Sequence, residues 1–352
     1  MSFVQTAEAS MRILAIETSC DETSASVVEN GRKVLSNVIS SSSETFAALG
    51  GVIPEAAARQ QLTCIHPVIA KALTEAGCTP AALDALAVTR GPGLLQSLLV
   101  GSTVARTLAR LWGKPLIGIH HTFGHLSSPW LDTSEEIPFP ILTLSASGGH
   151  TELWLRRSHT DGELLGSTRD DAAGEAFDKG AQLLGLPYPG GPAISALSRH
   201  GDPHAYPFPS PLSDQKSVEF SFSGLKTSLK YLLRDLGEMS EETRCDVAAS
   251  YQNALCMHLL TGIGKSLRLH PEVCEVHLVG GVSANIHLRT LVQEQIGERV
   301  LRSPKSIAYC TDNAAMVAAA AYFLHQEHGA GAYVPFETAA SLPANFVFAV
   351  SQ

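Results

Sequence analysis

The two halves of the sequence repeat one arrangement of strands, loops and helices, and this repeat limits the possible folds more than any other feature. In the first half, a strand-like run at residues 12–16 leads into a polar loop and a returning strand. Residues 138–155 repeat that strand–polar loop–strand unit. A strand–glycine turn–helix unit occurs at 84–108 and again at 276–296. Two copies of one α/β plan predict an internal duplication that binds a ligand in the cleft between the copies.

The chain has 352 residues, more than one ordinary core needs, and this length predicts two domains. We expect the first domain at residues 11–135, the second at 136–330 and a C-terminal tail at 331–352. Residues from about 195 to 245 have no counterpart in the first half. We interpret them as an insertion in the second domain that covers part of the site.

Charge and cysteine content restrict the function and the compartment. The net charge of −9 argues against a basic surface that grips nucleic acid, but it leaves open nucleic-acid binding with a partner's help. Seven scattered cysteines without a CxxC pair predict reduced thiols. The N-terminus lacks the basic and apolar regions of a signal peptide, and no apolar run reaches the length of a membrane span. We therefore expect a soluble, cytoplasmic protein.

Three histidines lie within the six residues His120–His125, directly after an apolar run that predicts a buried strand. If a helix begins at this junction, His121 and His125 are four residues apart and share one face. Two imidazoles on one face can hold one metal ion. The alternative is that these histidines only cap or pack the strand–helix corner. The stretch lacks the glutamate of the HExxH motif, which argues against a zinc protease.

A third potential metal ligand stands at the start of the C-terminal helix. Asp312 would complete a set of two histidines and one carboxylate, which suits iron or zinc with open coordination positions. The alternative interpretation is that Asp312 is the N-cap of that helix. A cap role does not exclude metal binding, because a carboxylate has two oxygens.

Four acidic residues occur close together between Arg169 and Lys179. Asp171, Glu175 and Asp178 have the spacing of one helical face, where like charges cost stability. This pattern indicates a function or a bound cation. The alternative is a solvated acidic face that Arg169 and Lys179 neutralise.

Two glycine-rich loops are candidates for binding a phosphate group. The glycines of Ser147–Gly149 allow backbone N–H groups to converge on an anion. The turn Pro189–Pro192 presents bare backbone that a ribose or phosphate can approach closely. Neither loop is a Walker A or a GxGxxG motif.

Taken together, the motifs resemble those of a known family. They are, in chain order, IETSCDET, VIPEAAAR, HHTFGH, LSASGGHT, DDAAGEAFDK, LPYPGGP, FSFSGLKT, GGVSAN and CTDNAAM. This set, which extends from about Arg12 to Tyr322, is similar to the TsaD family of tRNA N6-adenosine threonylcarbamoyltransferases, once described as O-sialoglycoprotein endopeptidases. The resemblance implies the duplicated actin-like/acetate-kinase/Hsp70 fold (ASKHA, ribonuclease H-like), which agrees with the repeat.

The resemblance also implies a reaction and its substrates. A threonylcarbamoyl group passes from L-threonylcarbamoyl-AMP to N6 of the adenosine on the 3′ side of the anticodon (adenosine 37), and AMP is released. The tRNAs concerned read codons that begin with adenine. The metal polarises oxygens of the donor as a Lewis acid, and backbone loops stabilise the leaving AMP. No serine or cysteine nucleophile is needed.

The resemblance assigns residues to this chemistry. His121, His125 and Asp312 resemble the ligands of one divalent metal, usually Fe²⁺ and sometimes Zn²⁺. Asp21 and Glu22 resemble acids near that metal and are candidates for a catalytic role. The residues that resemble the adenylate-binding set are Ser145, Ala146, Ser147, Gly148, Gly149, Asp178, Gly191 and Asn285.

Partners are implied as well, namely tRNA, the inactive paralogue TsaB and the ATPase TsaE, with a heterodimer formed through the first domain. The sequence departs from the family pattern at three positions. Phe123 stands where a polar residue is frequent, Ala146 where valine is usual, and Arg90 where a small or apolar residue is usual. Arg90 beside the cleft could alter how the nucleotide or RNA sits, and the sequence leaves the effect of all three departures open. The rival functions are an ASKHA-fold kinase or ATPase, a metalloprotease and a non-catalytic scaffold.

Overall fold

The computed structural model describes residues 10–41, 52–213 and 217–350. The chain forms two compact units. Of the described residues, the first contains 10–41, Ile53–Ser134 and 313–350, and the second is built mainly from Glu135–Asp312. The predicted ranges differ from this division at the C-terminus, because they assigned residues 313–330 to the second domain.

The first unit contains a five-stranded mixed sheet in the order β3-β2-β1-β4-β5. Strands β1–β3 form two consecutive antiparallel hairpins, and β4 and β5 extend the sheet in parallel from β1. Ile13 to Ile16 of β1 are buried, as expected for a strand covered on both faces. The strands are β1 (Arg12–Glu17), β2 (Thr23–Glu29), β3 (Lys33–Ser40), β4 (Ala85–Gly91) and β5 (Leu116–His120).

Within the described ranges, four α-helices accompany this sheet: α1 (Pro54–Glu75), α2 (Leu95–Trp112), α3 (His121–Ser127) and the C-terminal helix (Ala314–His328). Helix α1 continues through Pro67 without the break that a proline can cause. The C-terminal helix packs against β1 and β2, and its side chains from Ala314 to Ala321 are buried. This packing explains why the helix belongs to the first unit rather than the second.

The second unit repeats the sheet with the same pairing, in the order β8-β7-β6-β9-β10. Strands β6–β8 form two antiparallel hairpins, and β9 and β10 extend the sheet in parallel from β6. The predicted duplication is therefore confirmed strand by strand. The strands are β6 (Ile141–Ala146), β7 (Thr151–Arg156), β8 (Gly162–Ser167), β9 (Glu275–Val279) and β10 (Val300–Arg302).

The described residues of the second unit form five α-helices: α4 (Ala173–Leu183), α5 (Gly190–Ser198), α6 (Ser223–Leu236), α7 (Glu241–Leu269) and α8 (Ile286–Gln295). Four of them lie between β8 and β9, whereas α1 is the α-helix that the described residues show between β3 and β4. The predicted insertion corresponds to α6 and its flanking loops, although residues 214–216 fall outside the described part of the chain.

The chain beyond the C-terminal helix packs on the first unit along its described length. The N–H of Ala339 donates to the carbonyl of Arg90 over 2.9 Å, and Arg90 Nη2 lies 3.5 Å from the carbonyl oxygen of Ala349. The Arg90 side chain is fully buried in this way, and an effect of Arg90 on how the nucleotide or RNA sits stays a prediction. Residues 351–352 of the predicted tail lie outside the described residues. Among the helices of the described ranges, none has the length and apolarity needed to span a membrane.

Candidate metal centre and nucleotide loops

The predicted strand–helix junction lies between His120, the last residue of β5, and His121, the first residue of α3. His120 caps the helix, because its Nδ1 accepts a hydrogen bond of 3.2 Å from the N–H of Thr122. His121 and His125 are both buried, and their ring centroids lie 4.7 Å apart. The capping role thus belongs to His120, and the two histidines one turn apart adjoin each other as the spacing predicts.

Asp312 is not the N-cap of the C-terminal helix. The next residue, Asn313, has that role, since its Oδ1 accepts from the N–H of Met316 over 3.1 Å. Over the described residues, His121, His125 and Asp312 form a group whose potential ligand atoms all lie within 4.8 Å of one another. Two imidazole nitrogens and one carboxylate oxygen are a donor set that fits Fe²⁺ or Zn²⁺.

A buried hydrogen-bond network holds the His121 ring at its Nδ1 atom. Its Nδ1 lies 3.1 Å from Ser19 Oγ and 3.4 Å from Glu17 Oε2. Glu17 is itself held, because Oε1 accepts from the N–H of Ser19 over 2.5 Å and Oε2 accepts from the Thr89 hydroxyl. A carboxylate at Nδ1 fixes the ring orientation, so that Nε2 is the nitrogen that would bind a metal.

Sequence reasoning did not single out Glu17. It was grouped with the polar loop, whereas the structure makes it the final residue of the buried strand β1. An acidic side chain that ends an otherwise apolar strand is a signal that could have identified it, because buried carboxylates require partners.

Asp21 and Glu22 lie in the loop after β1 that also carries Ser19. Gln61 of α1 holds this loop, since its Nε2 donates to the carbonyls of Cys20 and Glu22 over 2.9 and 3.0 Å. Asp21 is buried and Glu22 is half-buried. The structure therefore places both acids in the loop that supports His121.

The predicted phosphate loop follows strand β6. Ser145 and Ala146 are buried at the strand end, so they can offer a ligand little beyond their backbone. Ser147 Oγ accepts from the N–H of Gly149 over 3.3 Å, which shapes the turn. Gly148 and Gly149 are exposed, and a side chain at either position would meet only open space. The loop thus presents accessible backbone, as a phosphate-binding loop requires.

Asp178 of α4 fixes the start of α5. Its Oδ1 accepts from the N–H of Gly190 over 2.7 Å, and the Gly191 backbone also donates to it. Burial raises the pKa of Asp178, and these two backbone hydrogen bonds only partly oppose that rise. Gly191 has open space where a side chain would project. Asp178 therefore holds the glycine turn that the sequence analysis predicted as a nucleotide-binding element.

The acidic run does not form the single helical face that its spacing predicted. Helix α4 begins at Ala173, which leaves Asp171 outside it. Lys226 and Lys179 bind Asp171 over 2.7 and 3.1 Å, and they lower its pKa although burial alone would raise it. Glu175 pairs with Lys179 over 2.6 Å.

Neutralisation by neighbouring cations, the alternative interpretation, is correct for Lys179. It is wrong for Arg169, which pairs with Glu219 instead. The remaining acid, Asp170, caps helix α6. Its Oδ1 accepts from the N–H groups of Phe222 and Ser223 over 2.7 and 3.3 Å.

Asn285 caps helix α8 and is fixed at both ends of its amide. Its Oδ1 accepts from the N–H of Leu288 over 3.0 Å, and its Nδ2 donates to Gln252 Oε1 over 2.9 Å. The loop before it approaches the loop at 145–149 closely, because a Cβ on Gly280 would clash with the Ala146 carbonyl oxygen. The N–H of Gly174, in the first turn of α4, donates to the Ser147 carbonyl over 3.0 Å. The structure thus brings the loop at 145–149 beside the elements that carry Asp178 and Asn285.

The duplicated sheet places the chain in the ASKHA class, and solved structures share this fold at low sequence identity. A full-length HypF in phosphate- and nucleotide-bound form has a TM-score of 0.57 at 14% identity, over 90% of this chain and 47% of HypF. The (R)-2-hydroxyglutaryl-CoA dehydratase component A of Acidaminococcus fermentans has a TM-score of 0.52 at 14% identity, over 91% and 99% of the two chains. At these identities the likeness shows the fold alone.

Sequence comparison then identifies the family: the chain belongs to the TsaD family. The family model described as tRNA N6-adenosine threonylcarbamoyltransferase matches residues 33–319. A relative of that name from Anaeromyxobacter dehalogenans is 48% identical over 315 residues, 88% of this chain and 92% of the relative. Another from Thermomicrobium roseum is 46% identical over 358 aligned positions, 95% and 97% of the two chains. The resemblance seen in the motifs is confirmed, and the kinase and protease alternatives are not favoured.

Proposed function

We propose that this chain is a tRNA N6-adenosine threonylcarbamoyltransferase. It transfers the threonylcarbamoyl group of L-threonylcarbamoyl-AMP to N6 of adenosine 37 in tRNAs that read codons beginning with adenine. The observation that carries the proposal is the family match, which spans residues 33–319. The candidate metal ligands and the phosphate loop give this match a chemical basis within the fold.

His121, His125 and Asp312 are the residues that would hold the metal, which we propose is Fe²⁺, with Zn²⁺ as the alternative. When bound, such an ion supplies Lewis acidity towards the oxygens of the donor. Glu17 and Ser19 contribute by holding the His121 ring at Nδ1. This arrangement sets the direction in which His121 presents its other nitrogen.

The loops of the second unit bind and stabilise the adenylate. Backbone N–H groups of Ser147–Gly149 and Gly191 would face its phosphate, and Asp178 maintains the turn that exposes Gly191. Asn285, held by Gln252, completes the predicted adenylate site. Fixed donors of this kind stabilise the charge that develops on AMP as it leaves.

The reaction itself needs no enzyme nucleophile. The adenine amine attacks the carbamoyl carbon, the bond between that carbon and the phosphate oxygen breaks, and AMP departs. The amine loses one proton in the process, and Asp21 and Glu22 are our candidates for accepting it. Both carboxylates belong to the loop that carries Ser19, which contacts His121.

We propose that the chain works with TsaB, TsaE and tRNA, and that it contacts TsaB through the first unit. The net charge of −9 gives the chain little attraction of its own for RNA. Helices α1 and α2 carry exposed apolar side chains that suit a protein interface, with Leu62 62% exposed and Leu95 and Leu99 each 45% exposed. We place the enzyme in the cytoplasm, where its tRNA substrate and its seven free cysteines fit a reducing compartment.

The direct test supplies the purified chain, TsaB and TsaE with tRNA and preformed L-threonylcarbamoyl-AMP. Mass spectrometry of the digested tRNA should then detect threonylcarbamoyladenosine, and a reaction without the chain should not yield it. Because the donor is supplied ready-made, a failure of donor synthesis cannot hide the activity. The absence of product in the complete mixture would reject the proposed function.

A further inference from the structure

Helix α3, which carries His121 and His125, spans only seven residues, His121–Ser127. An isolated helix of this length is not stable in water, so its surroundings must hold it. Every residue of α3 is buried. The orientation of the two histidines therefore depends on what packs against the rest of the helix.

Phe123 supports the helix on the side away from the histidines. It lies two residues after His121 and two before His125, and residues at this spacing do not share a helical face. Its fully buried ring meets the ring of Phe348 edge to face, with centroids 5.2 Å apart and an interplanar angle of 75°. Aromatic pairs favour this geometry, which restricts how the helix can rotate.

The C-terminal segment that carries Phe348, residues 339–349, is held by hydrogen bonds at several points around α3. His120 Nδ1 accepts from Thr122, so the neutral ring carries its proton on Nε2, which donates to the Leu342 carbonyl over 3.4 Å. Farther along, Arg90 Nη2 lies 3.5 Å from the Ala349 carbonyl oxygen. These contacts tie residues 339–349 to the cap of α3 and to the end of the neighbouring strand β4.

We propose that the C-terminal segment, residues 339–349, positions helix α3 for metal binding, and that Phe348 is the positioning residue through its contact with Phe123. The proposal rests on the proposed metal centre. Two residues at which the motif resemblance indicated departures contact this segment, since Phe123 packs on it and Arg90 anchors it.

The test titrates metal-free, full-length protein with Co²⁺ and Zn²⁺ and compares the wild type with Phe348→Ala. We expect Phe348→Ala to bind metal about tenfold more weakly, at the lower end of the effect of losing a residue that orients a ligand. Phe348→Tyr keeps the ring and should restore near-wild-type affinity. Phe336→Ala is the matched control, because Phe336 packs beneath Arg106 in the same chain end, with 4.7 Å from the guanidinium carbon to the ring centroid. It should lower the Tm of the metal-free protein and leave metal affinity unchanged.

The outcomes separate this inference from the proposed function. A wild type that binds neither metal would reject the metal centre itself. Wild-type binding with equal affinity in folded Phe348→Ala would overturn only the positioning role. If Phe348→Ala does not fold, Phe123→Leu decides, since it keeps apolar volume but loses the ring contact. Weaker metal binding by Phe123→Leu supports the proposal, and wild-type affinity overturns it.

Discussion

Glu17 Oε2 lies 3.4 Å from Nδ1 of His121, and the Glu17 carboxylate has no exposed surface. Both residues are buried, and the Ser19 backbone and the Thr89 hydroxyl donate to the same carboxylate. A carboxylate held so firmly selects the His121 tautomer with its proton on Nδ1. That selection would leave His121 Nε2 oriented for the proposed metal.

Replacing Glu17 with Gln should weaken metal binding by about 10–100-fold, the usual effect of losing a partner that orients a metal ligand. The amide keeps the shape of the side chain but removes the charge that favours a proton on His121 Nδ1. Glu55→Gln, on an exposed position of α1, should bind metal like the wild type. Metal titration of the metal-free proteins checks this, and equal affinity in the two variants would contradict the role of Glu17.

Substituting both His121 and His125 with Ala should abolish bound iron or zinc, because Asp312 alone cannot hold the ion tightly. Elemental analysis of the purified protein measures the loss directly. His66→Ala serves as the control, since His66 is exposed on α1. Unchanged metal content in the double variant would reject the ligand assignment.

Asp170→Ala should destabilise the protein by about 1–2 kcal/mol, the usual effect of removing a helix cap. Asp170 accepts from the N–H groups of Phe222 and Ser223 at the start of α6 and also from the Ser221 hydroxyl. Urea denaturation gives the change in unfolding free energy. Asp235→Ala, at an exposed position of the same helix, should change it little. A similar loss in both variants would argue against the capping role.

Acidification should destabilise the protein through His258. Burial first, and then the charge of Lys265, lower the pKa of His258 to about 4 from an ordinary value of 6.5. Between these pH values the unfolded state binds more protons than the folded state, so stability falls as the pH decreases from 6.5 towards 4. The full contribution is about 3 kcal/mol for a shift of this size.

Replacing His258 with Gln should flatten this dependence while the new amide oxygen can still accept from the N–H of Ser221. His277, whose pKa burial likewise lowers to about 4, should retain its own part of the slope. Unfolding free energies measured at pH 6.5, 5.5 and 4.5 test the difference. An identical slope in both proteins would contradict the assignment to His258.

Local sequence patterns were enough to predict two features, the duplicated sheet and the pair of histidines on one helical turn. The strand–loop–strand units revealed the duplication, and the spacing of His121 and His125 placed both imidazoles on one helical turn. What the sequence could not show depends on contacts between distant residues. Glu17 reaches His121 across 104 positions, and Phe348 packs on Phe123 only once the chain has folded.

The acidic run shows that a local pattern can also predict a feature that the folded chain does not form. Its spacing was typical of a helical face, but helix α4 begins at Ala173, after the first two acids. Lys226, far away in the sequence, takes up Asp171 instead. The charge spacing therefore marked this region as unusual. Which carboxylate caps a helix, which pairs with a lysine and which holds a turn became known only from the structure.

The first unit is assembled from both ends of the chain, and this order matters during synthesis. A ribosome releases strands β1–β5 and helix α3 long before residues 313–349 exist. The nascent chain therefore carries His121 and His125 without Asp312, the C-terminal helix or Phe348. A chain cut off before Asp312 would therefore lack one of the three proposed metal ligands together with the whole C-terminal segment.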